Sequence, residues 1–405
     1  MENNLNQLIN EFGSPQVLID NWSENFKGYA IWSFEETITW NYKGLYYSGK
    51  KINSDINEIQ IILDQWKKES DNLAAVGFIN YNFKNILFPH LKFKNYDKNF
   101  PYLFFGKPKI IKEYKIESAN FEENKELNLI SDILNIDDYS SKIKQIKKEL
   151  EYGNAYQINY TMPKKYSLVD KPINIYLKLR KVIKPKFGYY FKIDNDEILS
   201  FSPEQFFKKE NNNIYSYPMK GTRKRSKDLL QDQLLKNELK LSSKDKSEHL
   251  MIVDLIRNDL GKISDYGSIH VDDLFNIESY ETVHQMVSCV KGKLRQNINE
   301  VDIIKALFPG GSITGAPKES AMCIIDDLEN YSRNIYTGAI GFITNKGDMN
   351  FNIPIRTLTA RNQIGTYPVG GGIVWESEIK DEWEEAQIKS RILSASKIKK
   401  SYKNV

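Results

Sequence analysis

Two consecutive stretches, Tyr336-Thr-Gly-Ala-Ile-Gly-Phe-Ile-Thr344 and Asp348-Met-Asn-Phe-Asn-Ile-Pro-Ile-Arg-Thr-Leu358, combine β-branched and aromatic residues in the way that predicts β-strands. Pro354 inside the second stretch suggests a sheet edge or a bulge, because proline cannot donate a ladder hydrogen bond. Helices are predicted on both sides of this pair, at 300–307, 318–329 and about 378–398.

Upstream of this pair, strands and helices again come in separate groups. Strand patterns occur at 155–161, 187–193 and 197–201. Helical patterns occur at 138–152, 228–241 and 245–260. Because runs of strands are separated by groups of helices, the sequence predicts an α+β fold rather than a regular βαβ repeat.

The first part of the chain is rich in aromatic residues that alternate in short runs, such as Tyr29-Ala-Ile-Trp-Ser33 and Ala75-Val-Gly-Phe-Ile-Asn-Tyr81. Such runs predict strands. A polar segment at 117–126 then reads as a connection. We therefore expect an N-terminal β-rich part over residues 1–125 and a catalytic region over 138–398.

The composition limits the possible partners. The 405 residues are 40% apolar, and 57 basic against 53 acidic residues give a net charge of +4, too balanced for a dedicated nucleic-acid binder. The two cysteines, Cys289 and Cys323, form no CxxC pair, and no stretch resembles a signal peptide or a membrane helix. These features predict a cytoplasmic protein that binds neither nucleic acid nor membrane.

Carboxylates are the best candidates for a metal site, because the four histidines form no zinc-binding pair. Glu248 lies on an apolar helix, where a lone charge is costly. On the last predicted helix, Glu382, Glu385 and Lys389 fall on one stripe. Stacked acids repel each other, and Mg²⁺ would relieve the repulsion. The alternative is a solvated acidic face.

Glycines and one arginine indicate anion binding. The segment Phe308-Pro-Gly-Gly-Ser-Ile-Thr-Gly-Ala-Pro-Lys318 lacks the ending of a phosphate-binding P-loop, but its backbone N–H groups precede a helix and suit a carboxylate. A tight turn is the alternative. Gly370-Gly-Gly-Ile373 lets the backbone approach a ligand. Arg356, on a predicted strand, needs an anionic partner, either a substrate carboxylate or an internal acid.

A candidate nucleophile lies in Tyr217-Pro-Met-Lys-Gly-Thr222. Lys220 is held between a proline and a Gly-Thr turn, so its amine can be aimed, and an aimed, desolvated amine is a nucleophile. The alternative is an ordinary surface cation.

Taken together, eight segments in collinear order resemble the chorismate-utilising enzymes, and they cover about 140–395. The segments are Ser202-Pro-Glu204, Pro218-Met-Lys-Gly-Thr222, 248–261, Val283-His284, Gly310-Gly-Ser-Ile-Thr-Gly-Ala-Pro-Lys318, Tyr336-Thr-Gly-Ala-Ile-Gly341, Phe351-Asn-Ile-Pro-Ile-Arg-Thr357 and 370–389. The resemblance implies an α+β fold with two large, mostly antiparallel β-sheets packed as a sandwich and helices outside.

The resemblance also implies roles for individual residues. Mg²⁺ would be held by Glu248 and Glu385, with Glu382 nearby, and would engage the ring carboxylate of chorismate. Lys220 would attack C2 of chorismate, while Glu204 would act as the general acid. The implied substrate-binding residues are Gly221, Thr222, His284, Thr314, Gly315, Tyr336, Arg356, Gly371, Gly372 and Lys389. Among these, Arg356 and Tyr336 would grip the enolpyruvyl carboxylate.

In this family, members that aminate C4 of chorismate carry lysine at the position of Lys220, whereas anthranilate synthases carry a small residue. The resemblance therefore implies formation of 4-amino-4-deoxychorismate, on the route to 4-aminobenzoate and folate. Ammonia would come from a separate glutamine amidotransferase subunit, since the chain shows no amidotransferase motif. The alternatives are an anthranilate synthase, an isochorismate-type enzyme, a non-catalytic ligand-binding protein that keeps the fold, and a nucleic-acid binder suggested by lysine content alone.

Overall fold

The computed structural model describes residues 4–21, 27–94, 97–116, 127–132, 135–280, 283–390 and 393. Within these ranges the chain forms ten α-helices and twenty β-strands. The helices are α1 (Leu5–Phe12), α2 (Ile56–Glu69), α3 (Lys84–Leu87), α4 (Ile136–Glu151), α5 (Pro172–Ile183), α6 (Leu229–Leu241), α7 (Ser243–Gly261), α8 (Glu300–Leu307), α9 (Lys318–Leu328) and α10 (Ile379–Ser390). None of the helices in these ranges is long and apolar enough to cross a membrane.

The strands pair antiparallel throughout the described ladders. They are β1 (Val17–Asp20), β2 (Lys27–Asn41), β3 (Gly44–Tyr47), β4 (Lys50–Lys51), β5 (Leu73–Ile79), β6 (Leu103–Lys115), β7 (Leu127–Asp132), β8 (Gln157–Leu168), β9 (Phe187–Ile193), β10 (Asp196–Ser202), β11 (Gln205–Glu210), β12 (Asn213–Ser216), β13 (Met219–Lys224), β14 (His270–Ser279), β15 (Val283–Lys293), β16 (Gly315–Ala316), β17 (Ala339–Thr344), β18 (Met349–Asn352), β19 (Thr357–Arg361) and β20 (Ile364–Ile373).

Two halves of the sheet meet at the long pair β2–β6. One half runs in the order β7-β8-β20-β19-β10-β9-β1, and β1 pairs with the start of β2. The other half runs β5-β17-β18-β11-β12-β15, with β13 and β14 on β15, and β5 pairs with the start of β6. The β2–β6 register shifts repeatedly between Ile31 and Glu36, and such bulges bend a strand. The two predicted sheets are therefore joined by one bent pair of strands.

The inner faces of the two halves pack against each other through an apolar cluster. In this cluster Phe78 of β5 and Phe191 of β9 meet edge to face, with their ring centroids 5.9 Å apart. Further apolar clusters bury the inward faces of α2, α7 and α8 on one half and of α4, α5, α9 and α10 on the other. The predicted α+β sandwich with outer helices is thus confirmed.

The N-terminal strands belong to the same sheet as the rest, since β1 pairs with β9 and β5 with β17. The predicted boundary between residues 1–125 and 138–398 falls partly outside the described residues, so that division stays a prediction. One element of the N-terminal part was missed. Residues Ile59, Leu63 and Trp66 are spaced as on one helix face, and they are buried on α2 rather than on a strand.

Candidate active site

Lys220 lies on β13 at a bulge opposite β15, where the register shifts between Lys220 and Thr222. Gly221 in the bulge has φ +70°, and a methyl group there would lie 2.7 Å from Leu239. Only glycine fits this position without strain. A methyl group built on Gly372 of β20 would lie 3.1 Å from the Lys220 amine. The Lys220 side chain therefore extends from one half of the sandwich to the glycine segment at 370–373 on β20, which belongs to the other half.

Glu204 lies between β10 and β11 and is 8% exposed. The Ser312 hydroxyl donates to its Oε1 at 3.0 Å, so the glycine segment at 308–318 holds this carboxyl in place. Burial raises the pKa of Glu204 above its usual value, while the Ser312 hydrogen bond and the nearby Lys220 charge oppose the shift. A carboxyl whose pKa is raised in this way is suited to donate a proton near neutral pH.

Arg356 does not lie on a strand. The predicted strand at 348–358 is interrupted, since β18 ends at Asn352 and β19 begins at Thr357. The break contains Pro354, as expected from its missing donor, and Arg356 has φ +54°, a strained value for a non-glycine residue. Within the described ranges its guanidinium makes no hydrogen bond or ion pair, and burial lowers its pKa. A half-buried arginine that forms no ion pair with the described residues is suited to bind an anionic ligand.

Three other predicted residues pack around this part of the site. Tyr336 is 6% exposed, and burial raises its pKa, with Glu204 contributing in the same direction. The Thr314 hydroxyl donates to the Gly310 carbonyl at 2.8 Å, so it shapes the glycine segment from within. Gly315 has φ +144°, and a methyl group there would collide with the backbone of β8, so this glycine is required by close packing.

The acids of α10 converge on Gly371. A methyl group built on Gly371 would lie 3.4 Å from Glu382 Oε2, 3.6 Å from Lys389 Nζ and 3.8 Å from Glu385 Oε1. Lys389 bridges Glu385 at 2.6 Å and the Gly370 carbonyl at 2.9 Å. The predicted stripe on the last helix therefore faces the glycine segment and not open solvent alone.

Glu248 on α7 faces the same region. Burial raises its pKa, Lys220 and Lys244 oppose the rise, and the charge of Glu385 adds to it. Burial and Glu385 likewise raise the pKa of Glu382, against a hydrogen bond from Ser377, while Lys389 lowers the pKa of Glu385. Over the described residues no three His, Cys, Asp or Glu side chains converge closely enough to form a metal cluster. The donors nevertheless fit Mg²⁺ in chemistry, since they are carboxylates crowded together with like charge.

Two predicted residues are not brought to this group. The ring nitrogens of His284 contact Asp232 at 3.1 Å and Ser279 at 2.9 Å, so the imidazole is held beneath α6. Thr222 lies on the exposed part of β13, paired with Gln285. The roles of His284 and Thr222 in binding the substrate ring stay predictions.

Gln157 is a site residue that the sequence reasoning missed. It is fully buried at the start of β8, and neither atom of its amide has a hydrogen-bond partner in the described part of the chain. The methyl position on Gly372 lies 2.9 Å from its amide carbon, so this amide adjoins the Lys220 amine. An unsatisfied buried amide needs an explanation, and a polar ligand supplies one. The available signal was a lone glutamine among the apolar residues of a predicted strand.

His249 provides a pH-dependent probe of this region. It is fully buried on α7, with Nε2 2.7 Å from the Ser288 hydroxyl. Burial, followed by the charge of Lys220, lowers its pKa from 6.5 to about 4. As the pH falls from 6.5 to 4, His249 therefore takes up a proton in the unfolded chain but stays neutral in the folded chain. Stability should drop by up to ~3 kcal/mol across this window.

We expect the variant His249→Asn to lose the part of the acid-induced decrease in stability that comes from the buried imidazole. Urea unfolding at pH 7.0 and pH 4.5 should show a smaller acid-induced drop in unfolding free energy for His249→Asn than for the wild type. His90→Asn is the matched control, because His90 is exposed and its ion pair with Glu319 lies at the surface. An identical pH dependence in His249→Asn and the wild type would show that burial of His249 is not linked to acid sensitivity.

Among the described residues, the site combines an amine, a buried carboxyl, a guanidinium that forms no ion pair and a group of acids. A family model described as chorismate binding enzyme matches residues 29–395. Because that match covers most of the chain, the protein belongs to the chorismate binding enzyme family. The resemblance seen in the sequence is confirmed.

Particular relatives point to two related activities. Aminodeoxychorismate synthase component 1 of Escherichia coli (strain K12) is 38% identical over 273 residues, which cover 67% of this chain and 60% of that protein. Anthranilate synthase component 1 of Saccharolobus solfataricus is 33% identical over 337 residues, 80% of either protein. The crystal structure of anthranilate synthase component I from Streptococcus pneumoniae TIGR4 superposes with a TM-score of 0.80 at 22% identity, covering 91% of this chain and 92% of that one. The first of these relatives thus extends well beyond the part that this chain matches.

Proposed function

We propose that this chain converts chorismate and ammonia into 4-amino-4-deoxychorismate. The observation that carries the proposal is the position of the Lys220 amine, which lies against Gly372 and beside the Gln157 amide. Glu204 is near enough for its pKa to be affected by the Lys220 charge. A nucleophile and an acid close enough for their charges to interact suit a substitution reaction.

Chorismate has two carboxylates, and the site offers a place for each. The unpaired Arg356 guanidinium suits the enolpyruvyl carboxylate, with Tyr336 beside it. For the ring carboxylate, β20 offers a free edge. Its ladder with β19 ends at Thr366, so among the described strands it pairs at 370–373 with β8 alone. Backbone groups on the other edge of Gly371 and Gly372 are then available to a ligand.

The proposed chemistry has two substitutions. The neutral Lys220 amine attacks C2, both conjugated ring double bonds shift, and the C4 hydroxyl leaves as water with a proton from Glu204, while the attached lysine nitrogen gives up one proton. Ammonia then attacks C4, both double bonds shift back, the bond between C2 and the lysine nitrogen breaks, and the lysine nitrogen regains its proton. The sum is chorismate plus ammonia giving 4-amino-4-deoxychorismate plus water, so no oxidant is needed. Glu204 would also accept a proton from the attacking ammonia.

Mg²⁺ is proposed as the cofactor. Glu248 and Glu385 would hold it, with Glu382 close by, and a cation there would compete with Lys389 for Glu385. When bound, the metal would supply positive charge for the ring carboxylate. Support comes from the raised pKa of Glu248 and Glu382, because buried like charges favour a divalent cation.

Ammonia is proposed to come from a separate glutamine amidotransferase subunit. The Escherichia coli relative is named as a component 1, which says of that protein that it has a second component. The reaction would take place in the cytoplasm, where the free thiols of Cys289 and Cys323 would stay reduced. The product would be passed on towards 4-aminobenzoate and folate.

Product analysis tests the proposal directly. The purified chain is incubated with chorismate, Mg²⁺ and an ammonium salt at pH 8 to 9, where part of the ammonia is neutral, and products are separated and identified by mass spectrometry. We expect 4-amino-4-deoxychorismate, and we expect a chelator to suppress it. Anthranilate would identify the activity of an anthranilate synthase. Isochorismate without an aminated product would show that water, rather than ammonia, is the incoming group. Intact chorismate throughout would favour a non-catalytic binding protein.

A further inference from the structure

Arg333, just beyond α9, is one of the most completely bonded side chains in the described ranges, and it lies outside the predicted site. Its guanidinium donates two hydrogen bonds to Glu329, from Nε to Oε2 at 2.8 Å and from Nη2 to Oε1 at 2.6 Å. The two side chains are 1% and 3% exposed. A bidentate pair at this depth fixes the plane and the orientation of the guanidinium.

The remaining N–H groups of Arg333 hold the backbone of neighbouring segments. Nη1 donates to the Ile313 carbonyl at 2.9 Å and to the Thr337 hydroxyl at 3.3 Å. Nη2 donates to the Asn159 carbonyl at 2.6 Å. An arginine has five N–H donors, and these contacts together with Glu329 use all of them. One side chain therefore ties together three stretches of chain that are far apart in the sequence.

Each of these three stretches carries part of the candidate site. Ile313 immediately precedes Thr314, whose carbonyl accepts a hydrogen bond from Asn159 at 2.8 Å. Asn159 is paired in register with Gly372, the residue against which the Lys220 amine lies. Thr337 immediately follows Tyr336.

Glu329 reinforces the same arrangement from the other side. Its Oε1 accepts from the backbone N–H of Thr161 at 2.8 Å and from the Thr161 hydroxyl at 2.7 Å. Thr161 is paired in register with Gly370. The ion pair thus anchors β8 at two points, Asn159 and Thr161, directly beside the glycine segment of β20.

We infer that Arg333, held by Glu329, is a positioning residue for the chorismate site. Arg333 sets the distances among three parts of the site: the glycine segment at 308–318, the β8–β20 pair and Tyr336. It acts through the backbone of these parts and does not touch the substrate. This inference rests on the proposed function only in taking chorismate as the ligand. A displacement of about 1 Å in groups that position a substrate can lower the reaction rate on the order of 10²-fold.

A purely structural ion pair is the competing explanation, and the chain contains a matched control. Arg180 pairs with Asp20 through Nη1 at 2.7 Å and 2.9 Å, and these side chains are 5% and 0% exposed. This pair lies between α5 and β1, where the hydroxyls of Tyr114 on β6 and Tyr176 on α5 donate to Asp20 and Arg180 Nη1 donates to the Tyr114 hydroxyl. It has the burial and charge of the Arg333 pair but does not contact the site segments.

The test compares Arg333→Lys with Arg180→Lys. Lysine keeps the charge but cannot supply five donors in one plane. Chorismate affinity is measured by calorimetry in the presence of Mg²⁺, and stability by urea unfolding. We expect Arg333→Lys to weaken chorismate binding by about 10-fold or more. Arg180→Lys, even with an equal loss of stability, should stay within about twofold of the wild type.

Wild-type affinity in folded Arg333→Lys, or equal weakening in both variants, would overturn the inference. If Arg333→Lys does not fold, Thr337→Ala removes the contact to Nη1 together with the Thr337 hydrogen bond to the Tyr336 carbonyl, and it should still raise the dissociation constant about threefold. Unchanged affinity in Thr337→Ala would equally overturn the inference. The binding assay needs no turnover. A wild-type chain that binds chorismate without aminating it would therefore refute the proposed function while the positioning role is still decided by these variants.

Discussion

Replacing Lys220 with alanine is expected to abolish the covalent adduct and to lower the rate of ammonia-dependent amination by at least about 10³-fold. The reason is that the first substitution at C2 has no other nucleophile. Gly372 leaves room for the lysine amine, and the neighbouring Gln157 is an amide, which cannot replace it. Intact-protein mass spectrometry after incubation with chorismate and Mg²⁺, without ammonia, should show a wild-type species heavier by chorismate minus one water.

Lys224→Ala is the matched control for this experiment. Lys224 lies on the same strand, β13, but is exposed at its end. It should form the adduct and turn over like the wild type. Retained amination in Lys220→Ala, with a folded protein, would refute covalent catalysis by this lysine while leaving the chain in its family.

Replacing Glu204 with glutamine is expected to slow amination by about 10²- to 10³-fold, because the C4 hydroxyl would have to leave without general-acid help. The glutamine amide keeps the size of the side chain and can still accept from Ser312. Since the acid is needed for the first substitution, the adduct on Lys220 should form slowly in Glu204→Gln rather than be absent. Rapid-quench mass spectrometry of the adduct separates this variant from Lys220→Ala.

Glu319→Gln controls for the general loss of a carboxylate, because Glu319 is about half exposed and pairs with His90 at the surface. It should leave both the adduct and turnover unchanged. Adduct formation at the wild-type rate in Glu204→Gln would assign proton donation to another group. A loss of chorismate affinity without a loss of rate would instead place Glu204 in binding.

Helices whose own sequence contains a capping residue and apolar residues at helical spacing could be predicted. The sequence prediction of 300–307 coincides with α8, where Asn299 and Asp302 form a capping box at the start. Helix α9 ends one residue before the predicted end, at Leu328. Helix α2 was missed although it carries helix signals of its own, with Asp55 capping its first turn and Ile59, Leu63 and Trp66 on one face.

The parts of the site that depend on long-range pairing were only partly predictable. Lys220 and Arg356 could be singled out from their residue types and Glu204 from the family resemblance, and in the structure the charges of Lys220 and Arg356 both affect Glu204. The sequence could not indicate that α6 packs over β15, which holds His284 against Asp232. Nor could it indicate that Gln157 faces Gly372, because that contact depends on the register of β8 and β20.

That register has a consequence for how the protein comes to be folded in a cell. Gly372 pairs with Asn159, 213 positions earlier in the chain (372 minus 159), so the partner strand of β8 is made late in synthesis. Until then the long strand β8, most of which is buried in the folded protein, has one unpaired edge, and such edges pair with other chains. We expect nascent chains that end before β20 to depend on chaperones, since no local contact can substitute for so distant a partner.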